Sequence, residues 1–583
     1  MPQNPKERRG SQSWLRKVAR AWSKLQISHR GGRYSVERML ALSEYAQKTS
    51  LWRVLLVCIA TPIPMTVVIM LQELIPLQDP RDGWLVNYGF WIRYGFLAGV
   101  ICSSMAVHAM HMIDGVSLSL MQVIALGVIL GSTFPVVGMG FAALWAFPVP
   151  FIALLLNTIF VVSTVAVFRV MVGREAFSRI LRQKYQCLQY FYYITVQMLM
   201  SVVYPAYQVL FGVVTNTPYE LPVILILPIV KLIMKNLLSL TIPHLEDMLP
   251  LEVIFVVDFF NAFYLVTCVQ SAQSTNAIVT ILAIDISQSA LELYRLYRRT
   301  KSIATKMQHA IGEGNIRNLN LLNAVQRLCE SPEKLDSNLL PGIRLRSNSV
   351  LQSNQNVWLG DLEKRRASEA STVQSSPDSS MIKSQTPTKS NQHQRALLLE
   401  VVRRWISRRH AFVQPLFPVP MLVKPPKVDI PRPNDVSAGQ HPSFLSEALE
   451  VIFTSECLVL TEYLEAMIPI LYGCYVKVLV NLPSAQYHIE LVGTTTENVD
   501  SKVQSVFVYA LFEFVSLAVL IIVMLRNCGV RALYQLAFVL ETQSMMVQCK
   551  LVVWALITLC FRVVHFGKPW HHSFFPYKMF QYY

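Results

Sequence analysis

Along this chain the apolar residues come in long runs instead of alternating with polar ones. Val149 to Phe168 and Val506 to Leu525 are two examples. A helical run of about 20 apolar residues crosses the roughly 30 Å hydrocarbon core of a bilayer. Backbone groups in that core must bond to one another, which leaves helices or closed barrels, and barrel strands would alternate. The expected fold is therefore an all-α, polytopic membrane helix bundle. About eleven spans are predicted, near 52–75, 90–111, 117–137, 142–168, 190–213, 222–243, 251–271, 276–294, 451–480, 503–525 and 546–566. The stretch 526–566 reads either as one long helix or as an interfacial piece followed by a span.

Polar stretches divide these runs into four parts. Residues 1–50 form a basic N-terminal segment, 51–298 a first block of about eight spans, 299–443 a long loop, and 444–583 a second block of about three. The centre of the loop, 347–395, is rich in Ser, Asn and Gln, a composition that predicts disorder. Pro415 to Pro433 follows as a Pro-rich stretch expected to be extended.

Charge sharpens the picture. Only 15% of the 583 residues are charged, where a soluble domain has about 25%. The net charge of +16 sits in two segments: residues 1–50 give 11 − 3 = +8, and residues 301–443 give 20 − 11 = +9, leaving −1 elsewhere. Such a distribution matches anionic inner-leaflet lipids and no nucleic-acid-binding face. Short loops carry the same bias. Arg169, Arg174, Arg179, Arg182 and Lys184 cluster after the fourth span, and Arg295, Arg298, Arg299 and Lys301 after the eighth. The alternate loops hold only Arg81 and Lys502 as cations. By the positive-inside rule the N-terminus and the 299–443 loop are cytoplasmic, and eleven spans put the C-terminus outside. No cleavable signal peptide is expected, because a long basic stretch precedes a first run long enough to span. Most of the ten cysteines, among them Cys58, Cys102, Cys268, Cys474 and Cys560, lie in apolar runs and read as small buried hydrophobes.

Ionisable groups inside spans are the costliest features, about 2.5–3.5 kcal/mol each even on lenient insertion scales, so they face protein or water. Lys231 and Lys235 are one turn apart on one face, after Pro228. Asp258 and Asp285 lie on the next two spans, and Glu456, Glu462, Glu465, Lys477 and Glu513 in the second block. These groups either converge on a polar pathway or pair off, with Asp258 or Glu246 pinning the lysines. Prolines at Pro62, Pro64, Pro148, Pro150, Pro205 and Pro228 interrupt spans, as in transporters with broken helices. Gly127 and Gly131 form a GxxxG pair suited to close helix packing.

Weaker signals remain. His108, His111 and Asp114, at i, i+3 and i+6, fall within one 120° arc and could reach a metal; the plainer reading is an interfacial polar face. Trp14, Val18, Trp22 and Leu25 oppose Arg16, Lys17, Arg20 and Lys24, a basic amphipathic helix for the inner leaflet or for a calmodulin-like protein. Leu397 to His410 is a second, less segregated case. Ser368, Ser376 and Thr386 lie in short patterns that protein kinases use. No GxxxxGK[ST], GxSxG, HExxH or CxxC occurs, so no cofactor is expected and no catalytic residue is assigned.

Leu251-Glu252-Val253-Ile254-Phe255 recurs as Leu449-Glu450-Val451-Ile452-Phe453, with Asp258 and Glu456 each six residues after the glutamate. Either chance or a parallel repeat explains it. The run Leu449–Leu464, the loop Leu482 to His488, Arg526-Asn527-Cys528-Gly529, Tyr534 to Gln543 and Phe561 to Gly567 resemble an expanded family of multi-pass membrane proteins in oomycetes. The resemblance covers most of the chain except 330–395. It implies the same architecture; that family has no assigned activity, so no residue role is implied.

Three function classes are then open: transport or conduction of a small polar or ionic solute, a membrane sensor or scaffold acting through the loop, and a membrane-embedded metal enzyme resting on His108, His111 and Asp114. One expectation is testable from sequence alone. A peptide of residues 10–30 should bind anionic vesicles more tightly than neutral ones, with the preference shrinking at high salt. Equal binding to both, measured by vesicle co-sedimentation, would reject the electrostatic part.

Overall fold

The computed structural model describes residues 34–149, 152–214, 217, 219–242, 249–271, 275–311 and 441–566. The amphipathic stretches 14–25 and 397–410, the sites Ser368, Ser376 and Thr386, and Glu246 lie outside them. The described helices belong to one unit, residues 1–328 with 443–583; residues 329–442 form a second. Both predicted span blocks thus fall in a single body.

The described chain is helical, with one isolated backbone bridge, His488 to Val563, and no strand. In order come α1 Val36–Lys48, α2 Leu51–Glu73, α3 Tyr88–Met112, α4 Leu120–Leu144, α5 Asn157–Val172, α6 Arg174–Arg182 and α7 Lys184–Val214. Then follow α8 Pro222–Thr241, α9 Leu249–Ser271, α10 Thr275–Ile311, α11 Glu447–Leu479, α12 Val499–Arg526, α13 Ala532–Thr542 and α14 Ser544–Cys560. Polar caps set several starts. Ser35 and Ser50 accept the Arg38 and Arg53 amides, and Ser119 and Gln122 form a capping box at α4.

Among the described residues eight helices are long and apolar enough to cross a membrane: α2, α3, α4, α7, α8, α9, α11 and α12. Three expected spans are missing from that set, each for a physical reason. The 142–168 run breaks after Leu144, leaving α5 with 16 residues, about 24 Å of helix. The 276–294 run belongs to the 37-residue α10, which carries Asp285, Glu292 and Arg295 and so is less apolar than those eight, although the parallel α9 and α11 require the chain to return between them. The 546–566 run is the second arm of a pair, α13 and α14, bent by 83°; counted as one span it makes nine. The stretch is therefore not one straight helix, which leaves a broken span or a re-entrant loop. The Glu541 carboxylate of α13 bonds Tyr45 (2.8 Å) and pairs with Arg53 at the start of α2. α14 then runs alongside α2, with the Gln548 amide donating to Thr61 O at 2.7 Å.

α9 is the hub. It is apolar nearly all round, a pattern that belongs in an interior, and its whole apolar stretch is buried; α11 follows at 78%. α2, α4, α7, α8 and α12 bury only about a third of theirs and turn large apolar side chains outward, such as Trp52 (76% exposed) and Leu144 (91%). An apolar surface of this extent suggests an integral membrane protein. α9 and α11 lie side by side in the same direction: Thr461 bonds Asp258 (2.9 Å) and Tyr472 bonds Gln270 (2.5 Å). The two copies of the five-residue repeat therefore open parallel central helices. Among the described residues the cysteines are free; Cys102, Cys268 and Cys560 are buried, whereas Cys474 is exposed.

Gly127 and Gly131 of α4 pack on α3, against a second pair that sequence reading did not single out, Gly95 and Gly99. A Cβ on Gly99 would stand 2.7 Å from Gly127 O, and one on Gly95 2.4 Å from Gly131 O. Backbone cannot step aside as a side chain can. Gly99→Leu should therefore cost roughly 1–3 kcal/mol or more in stability, as overpacking does. Gly140→Ala, with nothing within 4 Å of its Cβ, should not. Thermal unfolding of the purified variants checks this; equal melting temperatures would reject close packing as the role of these glycines.

Candidate functional site

The sequence places Lys231 and Lys235 on one face of α8, and α9 brings them an acid. The α9 helix widens into a π turn over Ile254–Asp258, and Asp258 closes that turn. Single π turns inside α-helices recur at functional sites. Asp258 is fully buried and accepts from Lys235 at 2.8 Å and from Thr461 at 2.9 Å, with Lys231 at 3.2 Å. Lys231 reaches on to Glu465 of α11 at 2.6 Å.

Beyond Glu465 the network becomes acidic. Asp285 of α10, Glu465 of α11 and Glu513 of α12 are all buried and bring one carboxylate oxygen each within 4.8 Å of the others. Glu462, one turn before on α11, accepts from Ser516 at 2.8 Å. Five carboxylates, Asp258, Asp285, Glu462, Glu465 and Glu513, thus face two lysines. Glu465 and Glu513 lie near the midpoints of their helices. From Glu465 to Leu479 is about 21 Å and from Glu450 to Glu465 about 22 Å at 1.5 Å per residue.

A cavity of about 100 Å³ adjoins this cluster, lined by Lys231, Lys235, Asp285, Thr461, Glu462 and Glu465. It continues along Glu292, Arg295 and Arg299 of α10 toward the end where Arg299 pairs with Glu450 at 2.9 Å. A polar space of that size holds several waters.

Other predicted residues go elsewhere. His108, His111 and Asp114 do not converge, which corrects the metal reading. The helix turns His111 outward, where its Nδ1 donates to Val107 O, and Asp114 accepts from the Gln186 amide at 2.7 Å. His108 points inward. Its Nδ1 sits 2.7 Å from Ser104 O, so that nitrogen carries the proton and Nε2 accepts from Lys550 at 3.0 Å. Lys550 also donates to Glu252 at 2.5 Å and to Tyr193 at 2.9 Å, so three donors meet three acceptors in a fully buried site. Glu456 is likewise no part of the cluster around Lys231. It pairs with Arg38 at 2.7 Å and with Tyr34, tying α11 to α1. Lys477 pairs with Asp500 at 2.6 Å.

Sequence reading missed Lys550, and also Arg93, which pairs with Glu73 at 2.7 Å and donates to Ser484. A signal existed for both: each is a cation inside an apolar run and so needs a partner.

If Lys235 and Asp258 are partners, removing one strands the other, typically at about 3–5 kcal/mol for a buried pair. Lys235→Met and Asp258→Leu should each lower folded yield, and the double variant should recover much of it. Damage in the double equal to the sum of the singles, read by size-exclusion yield, would show that they are not partners.

No protein-family model matches this chain, and comparisons with curated proteins and with solved structures find no match.

Proposed function

We propose that this chain is an integral membrane protein that moves a small polar or ionic solute, with a cation favoured, through the cavity between α8, α10 and α11. The carrying observation is the excess of carboxylates over lysines, five against two, in the cluster at the mid-helix end of the cavity, whose farther lining holds Glu292 with Arg295 and Arg299. A core that needed charge only to hold helices together would balance it, as Lys550 and Glu252 do. Uncompensated carboxylates in such a place need protons or cations, and a polar cavity gives these a route. Positive-inside charge puts the N-terminus and the 299–443 loop on the cytoplasmic side, so the cavity opens toward the cytoplasm. The resemblance to the oomycete membrane proteins agrees with this architecture.

The full chain reconstituted in liposomes tests the proposal. Flux of Na⁺, K⁺, Ca²⁺, H⁺ and Cl⁻ is followed with entrapped dyes. The wild type should pass at least one cation faster than empty liposomes, and Glu462→Gln should slow it about tenfold while keeping its folded yield. Flux indistinguishable from empty liposomes for all five ions would sink the transport reading. It would favour a sensor or scaffold acting through the loop, where kinases or a calmodulin-like protein would engage it.

A further inference from the structure

The geometry points to a binding site for a hard divalent cation of calcium's size, built by Asp285, Glu465, Glu513 and Tyr509 at the blind end of the cavity. Each carboxylate comes from a different helix, α10, α11 and α12, and their oxygens converge to within 4.8 Å. Calcium–oxygen bonds of about 2.3–2.6 Å put opposite ligands about 4.6–5.2 Å apart, so one ion fits among all three. Acids converging alone would prove little; Tyr509 supplies a separate observation. This side chain is fully buried on α12, one turn before Glu513, and its hydroxyl is turned to the Glu513 carboxylate within electrostatic range of Asp285 and Glu465. It stands beside the Glu513 carboxyl without meeting hydrogen-bond geometry, and no other group satisfies it. A fully buried hydroxyl beside converging carboxylates, with no well-formed hydrogen bond, calls for a further ligand, and its oxygen suits a hard cation.

The chemistry selects the ion class. All donors are oxygens, with no sulfur or imidazole among them, which suits calcium or magnesium over zinc or copper. Three carboxylate oxygens converge and the Tyr509 hydroxyl adds a fourth, leaving the remaining places of the six to eight that calcium takes to waters from the adjoining cavity. One oxygen of Glu465 is held by Lys231 at 2.6 Å, leaving the other for the ion. Charge points the same way. Asp258, Asp285, Glu462, Glu465 and Glu513 carry −5 when ionised and Lys231 and Lys235 carry +2, so the group stands at −3, a surplus that a divalent ion reduces to −1. Asp285 and Glu465 also line the cavity, so the ion enters from there. The site names the ion class for the transport reading and rests on that reading for its route, though not for binding.

Equilibrium binding of ⁴⁵Ca²⁺ to the purified full chain in detergent tests this separately from flux. The wild type should bind one Ca²⁺ saturably, with Mg²⁺ competing at least tenfold more weakly. Glu513→Gln and Asp285→Asn should weaken Ca²⁺ binding by about tenfold or more, and Asp500→Asn, at the exposed partner of Lys477, should leave it unchanged. Should the carboxylate variants fold poorly, Tyr509→Phe removes only an unsatisfied hydroxyl and should fold normally while weakening binding several-fold. No saturable binding by the wild type overturns the site, as does undiminished binding in Tyr509→Phe together with whichever carboxylate variant folds. Saturable binding lost in the variants, yet with no flux in liposomes, supports the site and removes the transport reading instead.

Discussion

A charge buried without a partner costs several kcal/mol, and α9 carries two acids into the most enclosed position of the bundle. Glu252 and Asp258 are six residues apart with a π turn between them, and their partners lie on different helices. Each must therefore find its base on a different side. Glu252 meets Lys550 on α14 and Tyr193 on α7, and Asp258 meets Lys231 and Lys235 on α8. These two demands fix which helices surround α9, and they bring α14 and α11 from the second part of the chain against helices of the first. That requirement explains why residues 51–298 and 444–566 fold as one unit although more than 140 residues separate them.

The buried charge centres differ in kind. Around Lys550 every donor has an acceptor and nothing is left over; around Arg93 the guanidinium is held by Glu73, Ser484 and the Ile75 carbonyl, closing the far ends of α2 and α3. Such sites rigidify. The group of Asp258, Asp285, Glu465 and Glu513 has more acid than base and borders a polar cavity with room for several waters. It also coincides with the π turn of α9 and the polar face of α10, two local departures from an ordinary apolar span. Balanced pairs in one place and surplus acid in another is a division of labour that a scaffold alone does not require.

Much of this was legible in the sequence. Apolar run length marked the helices, since a bilayer-scale run is a local property. The one-turn spacing of Lys231 and Lys235 put both lysines on one face, and Asp258 on the next span was one of the two acids offered as their partner. GxxxG at Gly127 and Gly131 marked a close approach. What periodicity does not carry is lateral order. An apolar face packs against lipid or against another helix with nearly equal ease, so nothing local said that His108 would turn to Lys550 while His111 turned away, or that Glu456 would meet Arg38. Nor did run length foresee α13 lying across the start of α2 before α14 turns by 83°. The convergence of Asp285, Glu465 and Glu513 depends on three helices that are distant in sequence meeting at one depth. Sequence determined which residues are helical and which charges had to be satisfied; only the tertiary structure decided which of them share a site, because partners for buried charge are chosen in space and not along the chain.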